Sequence, residues 1–195
     1  LCLASQSPRR AKLLRQAGFH FWTYEPKVDE SALPDEGPAE LTERLSIKKA
    51  EAAVRAVAVG GAEPVCLGSD TVVALDDTIL CKPSDSTDAF RMLQRLSGRR
   101  HEVVTAVTVA QGDWRESRRV TSTVTFSHLP EEVIQAYCET PEPYDKAGAY
   151  GIQGFGGSFV ISLSGSYSAV MGLPLYETTE LLALAGIHPV WKESL

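Results

Sequence analysis

The sequence predicts an α/β protein with a mixed, twisted sheet flanked by helices. Short apolar runs typical of strands are interspersed with amphipathic runs typical of helices along the whole chain. Two longer alternating runs, at 101–110 and 116–127, are joined by Gln111-Gly112-Asp113, which favours an antiparallel hairpin. Because a hairpin is combined with strands that helices separate, a mixed sheet is expected.

Proline and glycine set the element boundaries in the first half of the chain. Pro8 and Pro38 suit the first position of a helix, whereas Gly18 and Gly60-Gly61 are typical helix ends. Asp76-Asp77 predicts a tight turn between two strands. The predicted order is a strand at 1–4, a helix at 8–17, a strand at 19–25, a helix at 38–58, a β-rich run at 64–75 broken at 68–70, and a strand at 78–81.

The second half contains one strongly periodic helix, which Asp85 or Ser86 caps and Gly98 ends. The hairpin follows it. The remaining predicted elements are a short helix at 130–138, a glycine-rich irregular segment at 139–157, a strand at 158–164 and a helix at 173–185. Since no repeat or linker interrupts the pattern, we expect a single domain over residues 1–195, large enough for one core or for two small lobes around a cleft.

Composition excludes several classes of partner. The net charge is −6 and the isoelectric point is near 5.3, so no overall attraction to nucleic acid or to an anionic membrane is expected. No apolar run approaches the length of a membrane span, and the first residues lack the apolar core of a signal peptide. The four scattered cysteines predict reduced, buried thiols. These observations predict a cytoplasmic protein.

The turn at Ser5-Gln6-Ser7-Pro8 leads into a helix that opens with Arg9-Arg10. Cations are unfavourable at a helix N-terminus, where the free N–H groups attract anions. Two arginines there therefore point to a bound phosphate, held by hydroxyl groups and forked guanidinium donors. A solvated basic turn, continued by Lys12 and Arg15, explains the same residues, and the sequence alone leaves both interpretations open.

Two carboxylates and two lysines form a second candidate group. Asp70 interrupts an apolar run, and Gly68 before it permits a close backbone approach or a bulge, so Asp70 is expected at a strand end that faces a cleft. With Glu30 it would supply oxygen ligands to a hard divalent cation. Lys82 ends an apolar strand, and Lys49 lies on the long helix. Together these residue types suit metal-assisted hydrolysis of a phosphoanhydride, although a turn-capping Asp70 and a solvated Glu30 are the plainer alternatives.

The segment Asp145–Gly154 is the third candidate group. Its glycines allow the backbone to approach a flat ligand, and Gln153 carries both a donor and an acceptor that can read the edge of a base. A glycine-rich surface loop is the alternative. The sequence contains no Walker A, G-x-S-x-G or H-E-x-x-H pattern, and His101 has no evident nucleophile partner.

In this order, the three groups resemble the Maf family of nucleoside triphosphate pyrophosphatases, over essentially the whole chain. The matching pieces are Ala4-Ser5-Gln6-Ser7-Pro8-Arg9-Arg10, Lys49-Ala50, Gly68-Ser69-Asp70-Thr71, Lys82-Pro83, Leu96-Ser97-Gly98-Arg99-Arg100-His101 with Thr105, and Asp145–Gly154. The resemblance implies a Maf-like fold, similar to that of inosine triphosphate pyrophosphatases, with two lobes around a central cleft. It also implies a homodimer.

The resemblance assigns roles to individual residues. Asp70 would be the proton acceptor. Asp70 and Glu30 would hold Mg²⁺ or Mn²⁺, with Asp29 as a second candidate to share the role of Glu30. Ser5, Arg10, Lys49 and Lys82 would hold the triphosphate, while Arg9, Thr71 and Gln153 match specificity positions.

The stretch from Lys146 to Gly154 resembles the branch that acts on dTTP and UTP. Two alternatives remain. One is the same chemistry on 7-methyl-GTP, and the other is a nucleotide-sensing regulator of cell division with little turnover.

Overall fold

The computed structural model describes residues 1–58, 63–76 and 78–192, which build one seven-stranded sheet with helices on its faces. The strands are β1 (Cys2–Ala4), β2 (Trp22–Tyr24), β3 (Cys66–Leu75), β4 (Thr78–Leu80), β5 (Arg100–Gln111), β6 (Trp114–Phe126) and β7 (Val160–Ser164). The helices are α1 (Pro8–Gln16), α2 (Pro38–Val57), α3 (Ser86–Leu96), α4 (Glu131–Cys138), α5 (Tyr167–Val170) and α6 (Leu175–Leu184). Three 3₁₀ turns lie at Glu142–Asp145, Ala147–Ala149 and Phe155–Phe159.

The sheet is mixed, which confirms the predicted α/β class. Its strand order is β2-β1-β3-β5-β6-β7, and β4 pairs with β3 outside that path. β1 runs parallel to β2 and β3, whereas β3–β5, β5–β6 and β6–β7 are antiparallel. The long β5–β6 hairpin is the one that the sequence predicts around Gln111-Gly112-Asp113.

Two apolar clusters occupy the two ends of one sheet face. In the first, Leu67 of β3 packs with Leu14 of α1 and Leu181 of α6. In the second, Leu75 near the other end of β3 packs with Leu93 of α3 and Ile134 of α4. The opposite face of β3 and β5 is covered by α2. The chain thus forms two packed regions along the same strands, with space for a cleft between them.

The structure corrects three local expectations. β3 is continuous from Cys66 to Leu75 and pairs without a shift with β5, so residues 68–70 neither break the strand nor form a bulge. Asp70 therefore lies in the middle of a strand, not at its end. The prediction of buried thiols holds for three cysteines and is wrong for Cys81, which is exposed. In addition, the one-turn helix α5 lies where the sequence pattern predicts no element.

Some boundaries cannot be compared. Gly60-Gly61 and Asp77 lie outside the described residues, so the predicted helix end and half of the predicted turn have no structural counterpart. Within the described ranges, no helix combines the length and the apolar character that a membrane span requires.

Candidate active site

The cleft opens where the edge of β3 lacks a neighbouring strand. β1 pairs with β3 only at Cys66–Gly68, and β4 pairs with it only at Val73–Leu75. Of the four residues between these pairings, 69–72, three line a cavity of about 850 Å³: Asp70, Thr71 and Val72. The parallel strand β1 ends at this cavity and is followed by the N-terminus of α1. Ligands of α/β proteins bind in this position, outside the carboxyl end of a parallel strand.

Lys49 joins two carboxylates inside the cleft. Its Nζ lies 2.6 Å from Oδ1 of Asp70 and 2.7 Å from Oε1 of Glu30. Lys49 and Asp70 are buried, whereas the side chain of Glu30 is 52% exposed. Burial raises the pKa of Glu30, but the hydrogen bond and charge of Lys49, with the charges of Lys82 and Arg10, lower it to below its ordinary value. The oxygens of Asp70 and Glu30 thus converge on one point, the ammonium group of Lys49.

Arg10 reaches back from α1 to the floor of the cleft. Its Nε donates to the carbonyl oxygen of Gly172 at 2.8 Å, and its two terminal nitrogens donate to Oγ of Ser5 at 3.4 Å and to Oγ1 of Thr71 at 3.2 Å. Thr105 in turn donates to Thr71 at 3.0 Å. Burial lowers the pKa of Arg10, and the charge of Asp70 opposes this shift. The guanidinium is fixed by neutral groups, so its charge remains available to an anion.

The N-terminus of α1 has the features of an anion site. Ser7 caps the helix, with its side chain accepting from the backbone N–H of Arg10, and the first turn contains no acidic residue. Ser5 is buried, and its Oγ accepts from the backbone N–H of Ser7. The field of the helix and the adjacent guanidinium both favour a phosphate at this end of the cleft.

Arg9 spans the cleft to the glycine-rich segment. Its guanidinium lies 2.8 Å from Oδ2 of Asp145, whose other oxygen pairs with Lys146 at 2.5 Å. Lys82 lines the same cavity and lowers the pKa of Glu30 through its charge. Among the described residues, Lys82 has no ion-pair partner, which leaves a cation facing the cavity.

Asp29, the residue offered as sharing the metal role with Glu30, does not line the cavity. The cleft brings together the other residues that the sequence nominated for the site. These residues are Ser5, Arg9, Arg10, Glu30, Lys49, Asp70, Thr71, Lys82 and Gln153. Sequence analysis missed Glu142 and Tyr137, which hold the turn around Gln153 through hydrogen bonds. Thr105, which belongs to the matching motif, supports Thr71 through a hydrogen bond. The close spacing of glycines at 151, 154, 156 and 157 is the one signal in the sequence that indicates a tight turn around other side chains.

Asp70 and Glu30 fit a hard divalent cation. Their oxygens converge on a single ammonium group, so they already face a position that favours positive charge. In the part of the chain that the structure describes, no group of three or more His, Cys, Asp or Glu side chains is placed to hold an ion. Mg²⁺ in phosphate-binding sites characteristically takes one or two carboxylates and completes its shell with substrate oxygens and water. The carboxylate pair matches that pattern.

The cleft of this mixed α/β sheet combines basic side chains, a helix N-terminus and paired carboxylates. These features define the class of protein, an anion-binding protein with oxygen donors for a hard cation. Within this class, the chain belongs to the family described as Maf-like protein, which matches residues 1–185. This finding confirms the resemblance seen in the sequence.

Relatives of known name match nearly the whole chain. A dTTP/UTP pyrophosphatase of Pseudoalteromonas atlantica is 51% identical over 183 residues, covering 94% of this chain and 95% of the relative. The dTTP/UTP pyrophosphatase of Vibrio cholerae is 51% identical over 182 residues, covering 93% and 96%. That of Symbiobacterium thermophilum is 47% identical over 191 residues, covering 98% and 96%. Among solved structures, the Staphylococcus aureus Ham1 protein aligns at a TM-score of 0.45 and 16% identity, covering 64% of this chain and 70% of that one.

Proposed function

We propose that this protein hydrolyses the α–β phosphoanhydride of dTTP, UTP and related noncanonical pyrimidine nucleoside triphosphates, releasing a monophosphate and pyrophosphate. The observation that carries the proposal is the triad of Asp70, Lys49 and Glu30 beside the N-terminus of α1. A site that only senses a polyanion gains nothing from two carboxylates, whereas a hydrolase needs an acceptor for the proton of water. The names of the relatives support the same activity.

Different basic side chains bind different parts of the triphosphate. Ser5, Arg10 and the free N–H groups of α1 form one end of the anion site, and Lys49 and Lys82 flank the carboxylates. Charge develops on the leaving pyrophosphate as the anhydride bond breaks, so preorganised cations stabilise the transition state more than the ground state.

Asp70 acts as the proton acceptor. A free aspartate has a pKa of about 3.9, which makes it a weak base toward bulk water at neutral pH. Asp70 and Glu30 would hold Mg²⁺ or Mn²⁺, and such an ion, when bound, acidifies water and neutralises phosphate charge. Asp70 orients the attacking water through its carboxylate and takes its proton, while Lys49 fixes the rotamer of Asp70.

The base and sugar are recognised at the other end of the cleft. Gln153 is exposed into the cavity and offers a donor and an acceptor to a pyrimidine edge. Arg9, which pairs with Asp145, and Thr71, which follows Asp70 on β3, line the same cavity and complete the specificity positions. We further propose that the protein is a cytoplasmic homodimer that binds no nucleic acid. Sedimentation velocity measures its oligomeric state.

The decisive experiment measures pyrophosphate release from a panel of nucleoside triphosphates, including 7-methyl-GTP, with Mg²⁺ or Mn²⁺. We expect release from dTTP and UTP, and a loss of kcat of about 100-fold or more in Asp70→Asn with nucleotide binding retained. Asp76→Asn is the matched control, because Asp76 follows the same strand but pairs with Arg99 on the surface.

The other outcomes decide between alternatives. A preference for 7-methyl-GTP would replace the pyrimidine assignment. Binding without release from any nucleotide would favour the regulatory alternative. Release at the wild-type rate by Asp70→Asn would disprove the role of Asp70.

A further inference from the structure

Glu142 sits inside the turn that carries Gln153. Its carboxylate accepts hydrogen bonds from the backbone N–H of Phe155 at 2.9 Å and of Gly156 at 3.0 Å. The hydroxyl of Tyr137 donates to the same carboxylate at 2.9 Å and accepts from the backbone N–H of Gly151 at 3.2 Å. Glu142 and Tyr137 therefore fix the backbone on both sides of Gln153.

The turn wraps tightly around this pair. A Cβ at Gly154 would lie 2.1 Å from Oε2 of Glu142, and one at Gly156 would lie 3.0 Å from the hydroxyl of Tyr137. A Cβ at Gly154 would therefore have to displace the Glu142 carboxylate from its hydrogen bonds, and the carboxylate and the path of the turn are fixed together. Within the described residues the side chain of Gln153 makes no hydrogen bond of its own, so its placement depends on that path.

Tyr137 and Glu142, which hold the turn, are themselves fixed by their neighbours. Tyr137 is buried and packs edge to face on Phe159, with ring centroids 5.0 Å apart. Lys146 donates to the backbone carbonyl of Glu142 at 2.6 Å and fixes the main chain there. Burial raises the pKa of Glu142, but the two backbone N–H groups and Tyr137 lower it to below its ordinary value, so the side chain is a carboxylate at neutral pH.

The chemistry of Glu142 is that of a support, not of a metal ligand. One oxygen accepts from Tyr137 and Gly156, and the other accepts from Phe155. Its negative charge is therefore satisfied by donors within the turn, in contrast to Asp70 and Glu30, whose partner is the ammonium group of Lys49.

We propose that Glu142 and Tyr137 are positioning residues that set nucleobase selectivity by holding Gln153 at the base end of the cleft. This inference rests on the proposed function, since it assigns the structural origin of the pyrimidine preference. It predicts that damage to the pair changes KM and base selectivity while the chemical step is conserved.

Glu142→Gln tests the proposal. A carboxamide presents an N–H group toward backbone donors, so at least one of the hydrogen bonds to Phe155 or Gly156 is lost. We expect KM for UTP and dTTP to rise about 10-fold, their preference over CTP to fall by a similar factor, and kcat to change less than about threefold. In the ligand-free protein, the amides of Gly151, Phe155 and Gly156 should exchange hydrogen faster than in the wild type.

Tyr137→Phe gives a second test should Glu142→Gln not fold, because it keeps the ring and removes only the hydroxyl. We expect the same changes at smaller size. Tyr144→Phe is the matched control: this tyrosine lies in the same segment, but its hydroxyl donates to the carbonyl of Cys138 and not to Glu142.

The outcomes separate this inference from the proposed function. If the wild type prefers UTP and dTTP and both variants retain that preference, the inference is wrong and the proposed function stands. If kcat falls as much as KM rises, Glu142 acts on the chemical step, which also overturns the inference. If the wild type releases pyrophosphate from no nucleotide, the proposed function fails and this inference fails with it.

Discussion

The carbonyl oxygen of Ser46 in α2 lies 2.3 Å from the position that a Cβ on Gly68 of β3 would occupy. The backbone nitrogen of Ala50 lies 2.6 Å from the same position. Only glycine permits this contact, and it brings the helix unusually close to the strand. Alternate residues of a strand share one face, so Asp70 points toward α2 as well. The contact therefore places Lys49 within hydrogen-bond distance of Asp70.

Gly68→Ala should push α2 away from β3. Because the obstructing atoms belong to the backbone, they cannot rotate aside, and we expect a loss of about 1–3 kcal/mol in the free energy of unfolding. Turnover should fall as well, since the Lys49–Asp70 contact depends on this approach. Urea denaturation and pyrophosphate release measure the two effects. Gly37→Ala is the control, because there a Cβ meets only the flexible end of Glu40, and an equal loss in both variants would refute the argument.

Lys49→Met should remove the cation that the two carboxylates share. Asp70 and Glu30 then repel each other, and the leaving pyrophosphate loses a preorganised donor, so we expect kcat to fall by about 100-fold or more. Lys48→Met is the matched control, since Lys48 is exposed on the same helix. Steady-state kinetics at saturating Mg²⁺ distinguish the two variants. Equal activity of both would show that Lys49 has no part in the chemical step.

The sequence predicts the composition of the site better than its architecture. Asp70 breaks an apolar run, and the local pattern suggests a strand end. The structure instead keeps β3 continuous, and Asp70 lines the cleft because the neighbouring strand β1 stops at Ala4 and leaves this part of β3 unpaired. The end of a neighbouring strand is a long-range property that no local window of residues contains.

Glu142 shows the same limit at shorter range. Between two prolines it looks like a solvated loop carboxylate, and its donors, Phe155 and Gly156, come from the next turn of the segment. The hairpin around Gly112 is different, because its turn and its alternating flanks are adjacent in the sequence. Local signals therefore predict hairpins and helix ends, whereas pairings across the cleft need the structure.

Asp145→Asn should strengthen nucleotide binding. Asp145 pairs with Arg9 across the cleft, and the two side chains are 58% and 27% exposed, so the pair is worth at most about 1 kcal/mol to stability. Its removal frees the guanidinium for the triphosphate and takes a negative charge out of the cleft. Calorimetric titration of the non-hydrolysing Asp70→Asn background with UTP should show a Kd lower by about two- to fivefold.

A double-mutant cycle identifies the route of this effect. In an Arg9→Gln background, Asp145→Asn should change the Kd less, because the guanidinium that it releases is absent. The same gain in both backgrounds would mean that Asp145 acts by general repulsion, and a weaker affinity in the single variant would mean that Asp145 presents Arg9 to the substrate.

His101 gives the stability of the fold a pH dependence in the mildly acidic range. It is buried, contacts Phe126 and Tyr150 edge to face, and its Nε2 lies 2.9 Å from the hydroxyl of Tyr150. Burial lowers the pKa of His101 to about 4, against an ordinary value of 6.5. The unfolded chain therefore binds a proton between these values that the folded chain does not. Stability is lost as the pH falls from 6.5 toward 4, by about 1.4 kcal/mol per pH unit from this group.

His101→Gln isolates this contribution, because glutamine keeps a polar partner for Tyr150 and does not titrate. The free energy of unfolding, measured by urea denaturation at several pH values, should fall less steeply below pH 6.5 in the variant than in the wild type. His20→Gln, which alters an exposed histidine, should follow the wild-type curve. Parallel curves for His101→Gln and the wild type would show that folding does not lower the pKa of His101, which would contradict this prediction.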